Sequence, residues 1–396
     1  MMGKYVKSIK DPIHGYIELT RLELEIVDTL PLQRLRRIKQ LPGSEYVYPG
    51  AMNTRFEHSL GVMHLAGLMG KRISEQSGDE DIVTLLRVSG LLHDIGHGPF
   101  SHSFEPILKR SLGMTHEEMS VHLVKSTEIS DILGRWGVGV NEVTDLIEGV
   151  HHRRSLSRII NSSVDADKMD YTVRDSYHTG AGYSVDIHRI ALNSLEINGD
   201  LVINARALEA VESLLMARLL SFRTVYYHKT SRAVQLMLER AMLSVIDRLN
   251  LARCLDDPEV FLQLDDYTMW DILRRDGRSR EIMNRLMRRY ILKLAKEWYN
   301  ASLSEEEVSD LKSHIADRAG LNEDDLVVDS PRIEFIKSTD LPLLWREGSL
   351  LDPLEASPVL SRLRNLLPRM VRVYTWPPYR DRVRQILKDR RPEDLL

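Results

Sequence analysis

The sequence has a single cysteine, Cys254, among its 396 residues, and it has no apolar run long enough to cross a bilayer. One thiol excludes an internal disulfide framework and a zinc site built from cysteines, so we interpret Cys254 as a small core residue. The first residues lack the apolar stretch of a signal peptide. A net charge of -4 gives no general attraction to nucleic acid. These absences predict a soluble, cytoplasmic protein with neither a membrane nor a nucleic-acid partner.

The composition is that of a globular protein, with 43% hydrophobic and 28% charged residues. Helical patterns dominate up to about residue 300, after which short apolar runs typical of strands appear. We predict a mainly α fold with a multi-helical domain over 1–300 and a small C-terminal α+β subdomain over 301–396. We also predict small β-hairpins at 4–19 and 194–203, and we interpret the second hairpin as a small decoration of the helical domain.

Apolar spacing places the individual elements approximately. The longer helices are predicted at 55–76, 80–95, 115–126, 139–150, 165–178, 205–228 and 231–250. Shorter helices are predicted at 22–28, 32–40, within 256–300, and at 305–317, 350–367 and 379–390. The C-terminal strands are predicted at 326–329, 333–336 and 370–376.

Three histidines and one aspartate are concentrated in residues 89–102, near the end of a predicted apolar helix. His93 and Asp94 project about 100° apart around that helix, so both can reach one cation. His97 follows on nearly the same face as His93. Glycine and proline then break the helix and place His102 in a loop that faces the site. On its own, such a His-Asp pair is more often a local hydrogen bond than a metal site.

Two further motifs supply the same kinds of ligand. Residues 53–59 contain His58, and residues 164–171 contain Asp167. Together with the pair at 93 and 94, they offer two imidazoles and two carboxylates to one divalent cation such as Mn, Fe, Zn, Ni or Mg. Three separated motifs of matching chemistry favour a metal centre over an isolated hydrogen bond. The predicted metal ligands are His58, His93, Asp94 and Asp167.

Helical spacing indicates which side chains share the pocket with the metal. Arg55 precedes His58 by three residues, so one helix can offer an imidazole to the metal and a guanidinium to a phosphate. Asp167, Tyr171 and Asp175 follow at intervals of four, which spreads a ligand, a ring and an acceptor over roughly 12 Å of one helix face. A face of this length suits a nucleotide.

A later helix repeats this spacing with Arg218, Phe222 and Tyr226. For Phe222 we prefer core packing, whereas Arg218 and Tyr226 stay open between the core and the pocket. Lys168 directly follows Asp167 and is a further candidate cation for the pocket.

These motifs resemble those of the HD-domain phosphohydrolase superfamily, in which His58, His93-Asp94 and Asp167 match the H…HD…D ligands. Within it, the chain is similar to the deoxynucleoside triphosphate triphosphohydrolases, although we expect no sterile-alpha-motif domain. The resemblance covers most of the chain. It is carried by residues 11–19, 34–36, 38–41, 55–62, 89–102, 115–117, 167–168, 174–175 and 226–229, and more faintly by 366–368 and 371–374.

The resemblance implies roles in substrate binding. Arg55, Lys168 and Arg218 match positions that hold the triphosphate with forked guanidinium donors and an ammonium. Gln40 and Asp175 match positions that bond the sugar 3′-hydroxyl.

Three further positions concern the sugar and the base. Tyr171 and Tyr226 match aromatic residues that pack along the sugar and exclude a ribose 2′-hydroxyl, which implies selection of deoxynucleotides. Leu41 matches a position that contacts the base.

The remaining matches are catalytic. His97, His102 and His116 match the non-ligand histidines around the α-phosphate, and we predict His102 as the residue that transfers a proton. Glu105 can orient His102 from three residues away. At this position animal relatives have aspartate, whereas bacterial relatives use the same His-x-x-Glu pair.

An activator site is also implied. Asp28, Gln33 and Arg36 match residues that read guanine at an activating GTP site, although Ser8 stands where that site has valine. We therefore expect activation by GTP or a dNTP. The resemblance also implies a homo-oligomer, a dimer or a tetramer.

Other histidines match no functional position. We interpret His14 as structural because it lies at a hairpin turn. Core or surface placement is the preferred interpretation of His64, His122, His151, His152, His178 and His188.

The predicted reaction is metal-dependent hydrolysis at the α-phosphorus, which releases a deoxynucleoside and inorganic triphosphate. His102 would protonate the departing 5′-oxygen. One alternative is a phosphohydrolase for a nucleoside monophosphate or a cyclic nucleotide. A second is a nucleotide-sensing or nucleic-acid-binding protein, which only the basic run at 274–289 supports, and a solvated helix face explains that run more simply.

Overall fold

The computed structural model describes residues 4–331, 343–363 and 369–395, and within them the fold is mainly α, as predicted. The helices of the first half are α1 Arg21–Val27, α2 Leu30–Arg34, α3 Arg55–Ser77, α4 Asp81–Leu92, α5 Glu105–Leu112, α6 His116–Ser126, α7 Glu128–Arg135, α8 Val140–Glu148, α9 Arg154–Ile160, α10 Ala166–Thr179 and α11 Ile187–Leu192. Those of the second half are α12 Leu208–Ser221, α13 Lys229–Leu243, α14 Ile246–Leu249, α15 Glu259–Leu262, α16 Asp266–Arg275, α17 Arg280–Met287, α18 Glu305–Ala319, α19 Pro353–Ala356, α20 Pro358–Leu363 and α21 Arg380–Ile386.

The strands within the described residues form three small sheets. Strands β1 and β2 make a hairpin at the N-terminus, strands β3, β4, β7 and β8 make a second sheet in that order, and β5, β9 and β6 make a third. The strands are β1 Lys7–Asp11, β2 Gly15–Leu19, β3 Ser194–Ile197, β4 Asp200–Asn204, β5 Lys293–Tyr299, β6 Leu326–Asp329, β7 Leu343–Arg346, β8 Ser349–Leu351 and β9 Met370–Thr375.

Helix α3 lies at the centre of the fold and carries the first part of the site. Thr54 and Glu57 form a capping box at its start, which satisfies backbone N–H groups that have no partner in the helix. Its close approach to α4 depends on Gly90, where a Cβ would lie 3.2 Å from the backbone of Val62 and Met63. The two helices therefore hold their side chains in a fixed register beside the site.

The predicted helix at 80–95 ends earlier than expected, at Leu92. Ser120, on α6, explains this early end because its hydroxyl donates to the carbonyl oxygen of His93 at 2.7 Å and accepts from the N–H of Gly96 at 2.9 Å. The chain turns at this point. His97 therefore lies beyond the helix, and the prediction that it shares a helix face with His93 was wrong.

Two predicted helices are interrupted. The prediction at 205–228 corresponds to α12, which begins at Leu208 and continues as a π-helical turn over Phe222–Tyr226. The prediction at 231–250 corresponds to α13 followed by the short α14. Cys254 is buried in the main apolar cluster, as the composition suggested.

The hairpin at 194–203 is present, but its interpretation as a small decoration was wrong. Val202 on β4 pairs in parallel with Leu343 on β7, which joins the hairpin to a distant part of the chain. Parallel pairing needs a long connection, so a local sequence pattern cannot reveal it.

The C-terminal strands β6 and β9 lie where the sequence predicted them. Strand β5, however, occupies a stretch that was predicted as short helices. It is a strand because it pairs antiparallel with β9, every residue of which is buried. The predicted strand at 333–336 and the faint match at 366–368 lie outside the described residues. The division of the chain near residue 300 stays a prediction.

Among the described helices, none is both long and apolar enough to cross a lipid bilayer.

Candidate metal centre and active site

The four predicted metal ligands come from three helices and meet at one place. His58 lies on α3, His93 and Asp94 directly follow α4, and Asp167 lies in the first turn of α10. Nε2 of His58 is 3.0 Å from Oδ1 of Asp167 and 3.6 Å from Oδ2 of Asp94. Nε2 of His93 is 3.2 Å from Oδ1 of Asp94 and 3.8 Å from Oδ1 of Asp167. The structure therefore brings the whole set within reach of one cation.

Both imidazoles are oriented through their other nitrogen. Nδ1 of His58 bonds Oδ2 of Asp170 at 2.9 Å, and Nδ1 of His93 bonds the carbonyl oxygen of Gly90 at 2.8 Å. Nε2 of His93 is buried and has no hydrogen-bond partner among the described residues. Histidines that bind metals are held in this way, because the second bond fixes the tautomer and the ring orientation. The donor set thus fits a divalent cation.

The charges of the site favour a cation as well. Burial on its own would raise the pKa of Asp94, but Arg55 and two histidines hold it well below its usual value. Burial would likewise raise the pKa of Asp167, yet His58 and Lys168 lower it. Burial lowers the pKa of His58, but hydrogen bonds to two aspartates outweigh it and raise the pKa to about 10. The ionised carboxylates of Asp94 and Asp167 give this site a negative charge, which favours the binding of a cation.

Asp170 was missed by the sequence prediction, although it holds the centre together. Its Oδ2 accepts from His58 and from Nε of Arg174 at 2.8 Å, while its Oδ1 bonds Nε2 of His14 at 2.7 Å. The side chain is fully buried. Its position three residues after Asp167 and four before Arg174, on one helix, is the signal that could have identified it.

We expect Gly61→Ala to destabilise the protein strongly. A Cβ at this position would lie 1.9 Å from Oδ1 of Asp170 and 2.6 Å from Nη2 of Arg174. These side chains form a buried ion pair that has no room to move, so the free energy of unfolding should fall by about 3 kcal/mol. Denaturant unfolding measures the change.

Gly134→Ala on α7 is the matched control, since a Cβ there would have no described heavy atom within 4 Å. It should leave stability unchanged or raise it by up to about 1 kcal/mol. Equal unfolding midpoints for the two variants would contradict a rigid Asp170.

Arg55 offers a donor to a ligand. Its Nη1 donates to Oδ2 of Asp94 at 2.6 Å, and its Nε donates to the hydroxyl of Ser101 at 3.0 Å. Its Nη2 is buried and has no hydrogen-bond partner among the described residues. A buried guanidinium nitrogen without an acceptor is costly, so an oxygen anion beside the metal centre would satisfy it.

Two more cations border the same space. Nζ of Lys168 is 2.8 Å from Oδ2 of Asp165, and although burial lowers the pKa of Lys168, nearby aspartates raise it above its ordinary value. Nε of Arg218 donates to the hydroxyl of Tyr171 at 3.1 Å, and Nη1 donates to a backbone carbonyl oxygen at 3.0 Å. Arg218 is therefore buried in contact with Tyr171, and its role in substrate binding stays a prediction.

A polar wall continues from Tyr171 along α10. Oδ2 of Asp175 accepts from the hydroxyl of Tyr226 at 2.9 Å, and its Oδ1 accepts from the amide of Asn53 at 2.9 Å. The rings of Tyr171 and Tyr226 meet edge to face at 6.0 Å. Oε1 of Gln40 and Oδ1 of Asn53 are buried without hydrogen-bond partners among the described residues. Unused acceptors of this kind suit a hydroxyl group on a ligand.

Asn53 was not predicted as a site residue, although it begins the motif that contains His58. Leu41, which was predicted near the base, packs with Ala51 and Val225 in a small apolar cluster against Tyr226. The wall therefore has a polar part and an apolar part that share one tyrosine.

Asp175 is buried, and burial raises the pKa of its carboxyl group from 3.8 to about 6, although hydrogen bonds from Asn53 and Tyr226 oppose this. A carboxyl group whose pKa is raised by folding destabilises the native state once it is ionised. This cost is absent below pH 3.8, grows as the pH rises and is complete above about pH 6. Ionisation of Asp175 near neutral pH thus lowers the free energy of unfolding, and perturbed pKa values of this kind cluster at functional sites.

Asp175→Asn should therefore increase the free energy of unfolding by up to roughly 3 kcal/mol near neutral pH. The asparagine oxygen still accepts from Asn53, and its amide can donate to the hydroxyl of Tyr226. Urea unfolding of both proteins at about pH 4 and about pH 8 measures the effect. A stability difference that is the same at both pH values would contradict the raised pKa.

The other predicted histidines form a cluster next to the ligands. His97 is buried and stacks on His116 with ring centroids 3.9 Å apart, and its Nε2 is 3.4 Å from Oδ1 of Asp94. Oε1 of Glu105 is 2.9 Å from Nδ1 of His102 and 2.8 Å from Nδ1 of His116. Glu105 thus contacts His102 in the manner that the sequence suggested.

The pKa values in this cluster differ in direction. Burial lowers the pKa of His97 well below its usual range, and the positive charges of Arg55 and His116 add to this. Burial also lowers the pKa of His116, but the hydrogen bond to Glu105 outweighs it and raises the pKa. The two stacked imidazoles therefore have pKa values shifted in opposite directions, with that of His97 lowered and that of His116 raised.

His102 lies in a short 3-10 helix, Ser101–Phe104, which begins from a strained loop. Phe100 and Ser101 have φ values of 58° and 49°, which are unusual for residues other than glycine. The N–H of Phe100 donates to Oδ1 of Asp266 at 2.7 Å, which pins the loop. The side chain of His102 is 69% exposed, so it can meet a ligand from solution. Strain of this kind persists only where surrounding contacts determine the conformation.

Two of the predicted activator residues, Asp28 and Arg36, are exposed, and the third, Gln33, is half-buried. Oε1 of Gln33 accepts from Nε of Arg36 at 2.9 Å, and the guanidinium of Arg36 lies 3.5 Å from the ring centroid of Phe56. Asp28 is exposed at the end of α1. The activator site stays a prediction.

Comparison with known families agrees with this geometry. The family described as HD domain matches residues 55–175, which contain all four candidate ligands, and the HD associated region matches residues 185–390. The chain therefore belongs to the HD-domain family of metal-dependent hydrolases.

The relatives of this chain indicate which group of HD-domain proteins it belongs to. The chain is 32% identical to an uncharacterised protein of Methanocaldococcus jannaschii, a match that covers 97% of this chain and 84% of that one. It is also 32% identical to the deoxynucleoside triphosphate triphosphohydrolase SAMHD1 homolog of Dictyostelium discoideum, over 70% of this chain and 56% of that one. The chain thus spans about half the length of this second relative. Among HD-domain proteins it belongs with the group that contains these triphosphohydrolases.

A solved structure shares the fold. The crystal structure of a hypothetical protein from Aquifex aeolicus superposes with a TM-score of 0.81 and 27% identity, covering 96% of this chain and 100% of that one. The architecture described above therefore occurs in a second member over nearly its whole length.

Proposed function

We propose that this protein hydrolyses 2′-deoxynucleoside triphosphates to a deoxynucleoside and inorganic triphosphate. The observation that carries the proposal is the wall of Asp175, Tyr226 and Asn53, which continues from Tyr171 along the helix that supplies Asp167. This arrangement offers acceptors to a sugar hydroxyl on one side and donors to phosphates on the other. A centre that hydrolyses phosphates without recognising a sugar would not need this wall.

The residues at the metal centre are suited to bind and activate a phosphate. A divalent cation of the Mn, Fe, Mg, Ni or Zn type, held by the four ligands, would lower the pKa of a bound water and offset phosphate charge. Nη2 of Arg55, the buried donor without a partner, would bind a phosphate oxygen. Lys168 and Arg218 would neutralise the rest of the triphosphate.

His102 is suited to move the proton that the reaction requires. Glu105 accepts from Nδ1 of His102, which leaves Nε2 as the nitrogen that donates to the departing 5′-oxygen. His97 and His116 would hold the α-phosphate beside it. Glu105 acts through His102 as a positioning residue.

Sugar selection would fall to the aromatic residues. Tyr226 is fixed by its hydrogen bond to Asp175, and Tyr171 is fixed by Arg218. Rings held in this way cannot move aside for an added 2′-hydroxyl. Gln40 and Asp175 would bind the 3′-hydroxyl, and Leu41 would contact the base.

The decisive experiment separates products as well as substrates. Protein loaded with Mn²⁺ is incubated with each dNTP and each ribonucleotide, with and without GTP, and the products are resolved by ion exchange. Release of inorganic triphosphate from dNTPs, with the corresponding ribonucleotides left intact, supports the proposal. Release of pyrophosphate, or turnover confined to nucleoside monophosphates or cyclic nucleotides, contradicts it. Absence of turnover on every nucleotide would favour a sensor.

Regulation by a nucleotide activator and assembly into a homo-oligomer belong to the same proposal. Gln33 and Arg36 already contact each other on the surface, and Asp28 precedes them, so a guanine base could be read there. Arg36→Ala should abolish any stimulation by GTP while the unstimulated rate is kept. Sedimentation with and without nucleotide tests the assembly.

A further inference from the structure

Three histidines outside the active site converge from separate elements. His14 lies at the turn between β1 and β2, His64 on α3 and His188 on α11. Their ring centroids are 5.0 Å apart for His14 and His64, 5.7 Å for His14 and His188, and 6.1 Å for His64 and His188. One ring nitrogen of each lies within 4.8 Å of the others. The sequence prediction assigned none of them a function.

His14 is oriented like a metal ligand. Its Nε2 bonds Oδ1 of Asp170 at 2.7 Å, and its side chain is fully buried. Its Nδ1 is also buried and has no hydrogen-bond partner among the described residues. A carboxylate that holds one nitrogen of an imidazole leaves the other nitrogen with its lone pair free for a metal. Asp170 holds His58 at the active site in the same way, through its other oxygen.

The two remaining histidines are neutral at physiological pH. Burial lowers the pKa of His64 to about 4, and the neighbouring His14, Arg87 and His188 lower it further. Burial lowers the pKa of His188 as well, again with a contribution from His14. Neutral imidazoles are the form that binds metals. Arg87 is a competing cation near His64, but Glu23 accepts from its Nη2 at 2.9 Å and offsets its charge.

We propose that His14, His64 and His188 form a second metal site that is separate from the active-site centre. Three imidazoles without a carboxylate or a thiolate suit a first-row divalent transition metal such as Zn²⁺, with water in the fourth position. Tetrahedral zinc with Zn–N bonds of about 2.0–2.1 Å places its nitrogens about 3.4 Å apart, so small ring rotations close the present spacing.

The site would connect three parts of the fold. A cation there joins the β1–β2 turn, the central helix α3 and α11. Because Asp170 holds both His14 and His58, the same cation would also restrain the orientation of an active-site ligand. We therefore assign it a structural role, and its presence does not depend on which nucleotide the enzyme hydrolyses.

Metal stoichiometry tests the proposal without any assay of activity. The full chain is stripped with a chelator, titrated with Zn²⁺ at about pH 7, desalted and analysed by mass spectrometry for bound zinc. Wild type should retain two equivalents, and the double variant His64→Ala/His188→Ala should retain one. The matched control His122→Ala/His314→Ala, whose histidines belong to neither cluster, should retain two. A wild type with one equivalent, or a double variant with two, would overturn the second site.

A gentler variant guards against misfolding. His188→Gln, on a half-buried helix, should weaken the binding of one zinc equivalent by about 10-fold or more and leave the other unchanged, as measured by competition with a chromophoric chelator. Circular dichroism in the presence of chelator verifies the fold. Two zinc affinities identical to those of wild type would contradict the proposal. Loss of dNTP hydrolysis alone would bear on the proposed function and not on this site.

Discussion

Replacement of His102 by alanine should lower kcat by about 10²–10⁴-fold while the metal content stays at the wild-type level. His102 is largely exposed and contacts Glu105 rather than a metal ligand, so its loss would remove the proposed proton donor and leave the ligand set intact. Its Nδ1 lies 2.9 Å from Oε1 of Glu105, which leaves Nε2 as the nitrogen that we propose to face the substrate. Single-turnover kinetics with dGTP, together with metal analysis of the same sample, measures both quantities.

His152→Ala is the matched control because it removes another exposed histidine, far along the chain from these residues. It should leave kcat and metal content unchanged. Glu105→Gln should lie between the two, since the amide oxygen still accepts from Nδ1 of His102 but through a weaker hydrogen bond than that of a carboxylate. A His102→Ala enzyme that keeps the wild-type kcat would remove this residue from the mechanism.

Replacement of Asp167 by asparagine should remove one metal equivalent and reduce activity by on the order of 10³-fold or more, because water activation depends on the bound cation. The carboxylate oxygen of Asp167 lies 3.0 Å from one candidate imidazole ligand and 3.8 Å from the other. A neutral amide loses the charge that attracts the cation. Metal analysis after desalting, alongside triphosphate release, reports the loss.

Asp131→Asn on α7 provides the control, since it neutralises an exposed aspartate on the surface. It should retain both metal and turnover. Normal metal content and normal turnover in Asp167→Asn would show that the centre is not a metal site of the kind described.

The metal centre could be predicted because its ligands lie in short motifs. Asp94 directly follows His93, and the packing of α4 and α10 against α3 brings all four ligands to the same place. The types of these residues and their spacing within each motif were therefore enough to predict them as ligands. His97 shows the limit, since its distance from His93 suggested a shared helix face, whereas Ser120 on another helix ends α4 before that face can form.

Residues whose roles depend on tertiary contacts were harder to predict from the sequence. Asp170 and Asn53 lie inside motifs that the sequence singled out, yet their roles depend on partners far along the chain. His64 and His188 looked like ordinary core or surface residues because neither belongs to a motif that the sequence analysis matched to a functional position. Only the position of α11 against α3 places them together.

The sheets show the same difference between local sequence patterns, which could be predicted, and distant contacts, which could not. Hairpins form between neighbours, so β1–β2 and β3–β4 could be predicted from alternation and turn residues. Strand β5 was misassigned because its residues become a strand only by pairing with β9. Intrinsic β-propensity is a weak predictor of a strand where pairing with a distant strand decides the conformation.

The parallel contact between β4 and β7 has a practical consequence for truncated proteins. A fragment that stops near residue 300 would leave the β7 side of β4 without its partner and would deprive β5 of β9. Exposed strand edges of this kind recruit other chains and promote aggregation. Studies of residues 1–300 in isolation should therefore expect insoluble material, even though every candidate active-site side chain would be present.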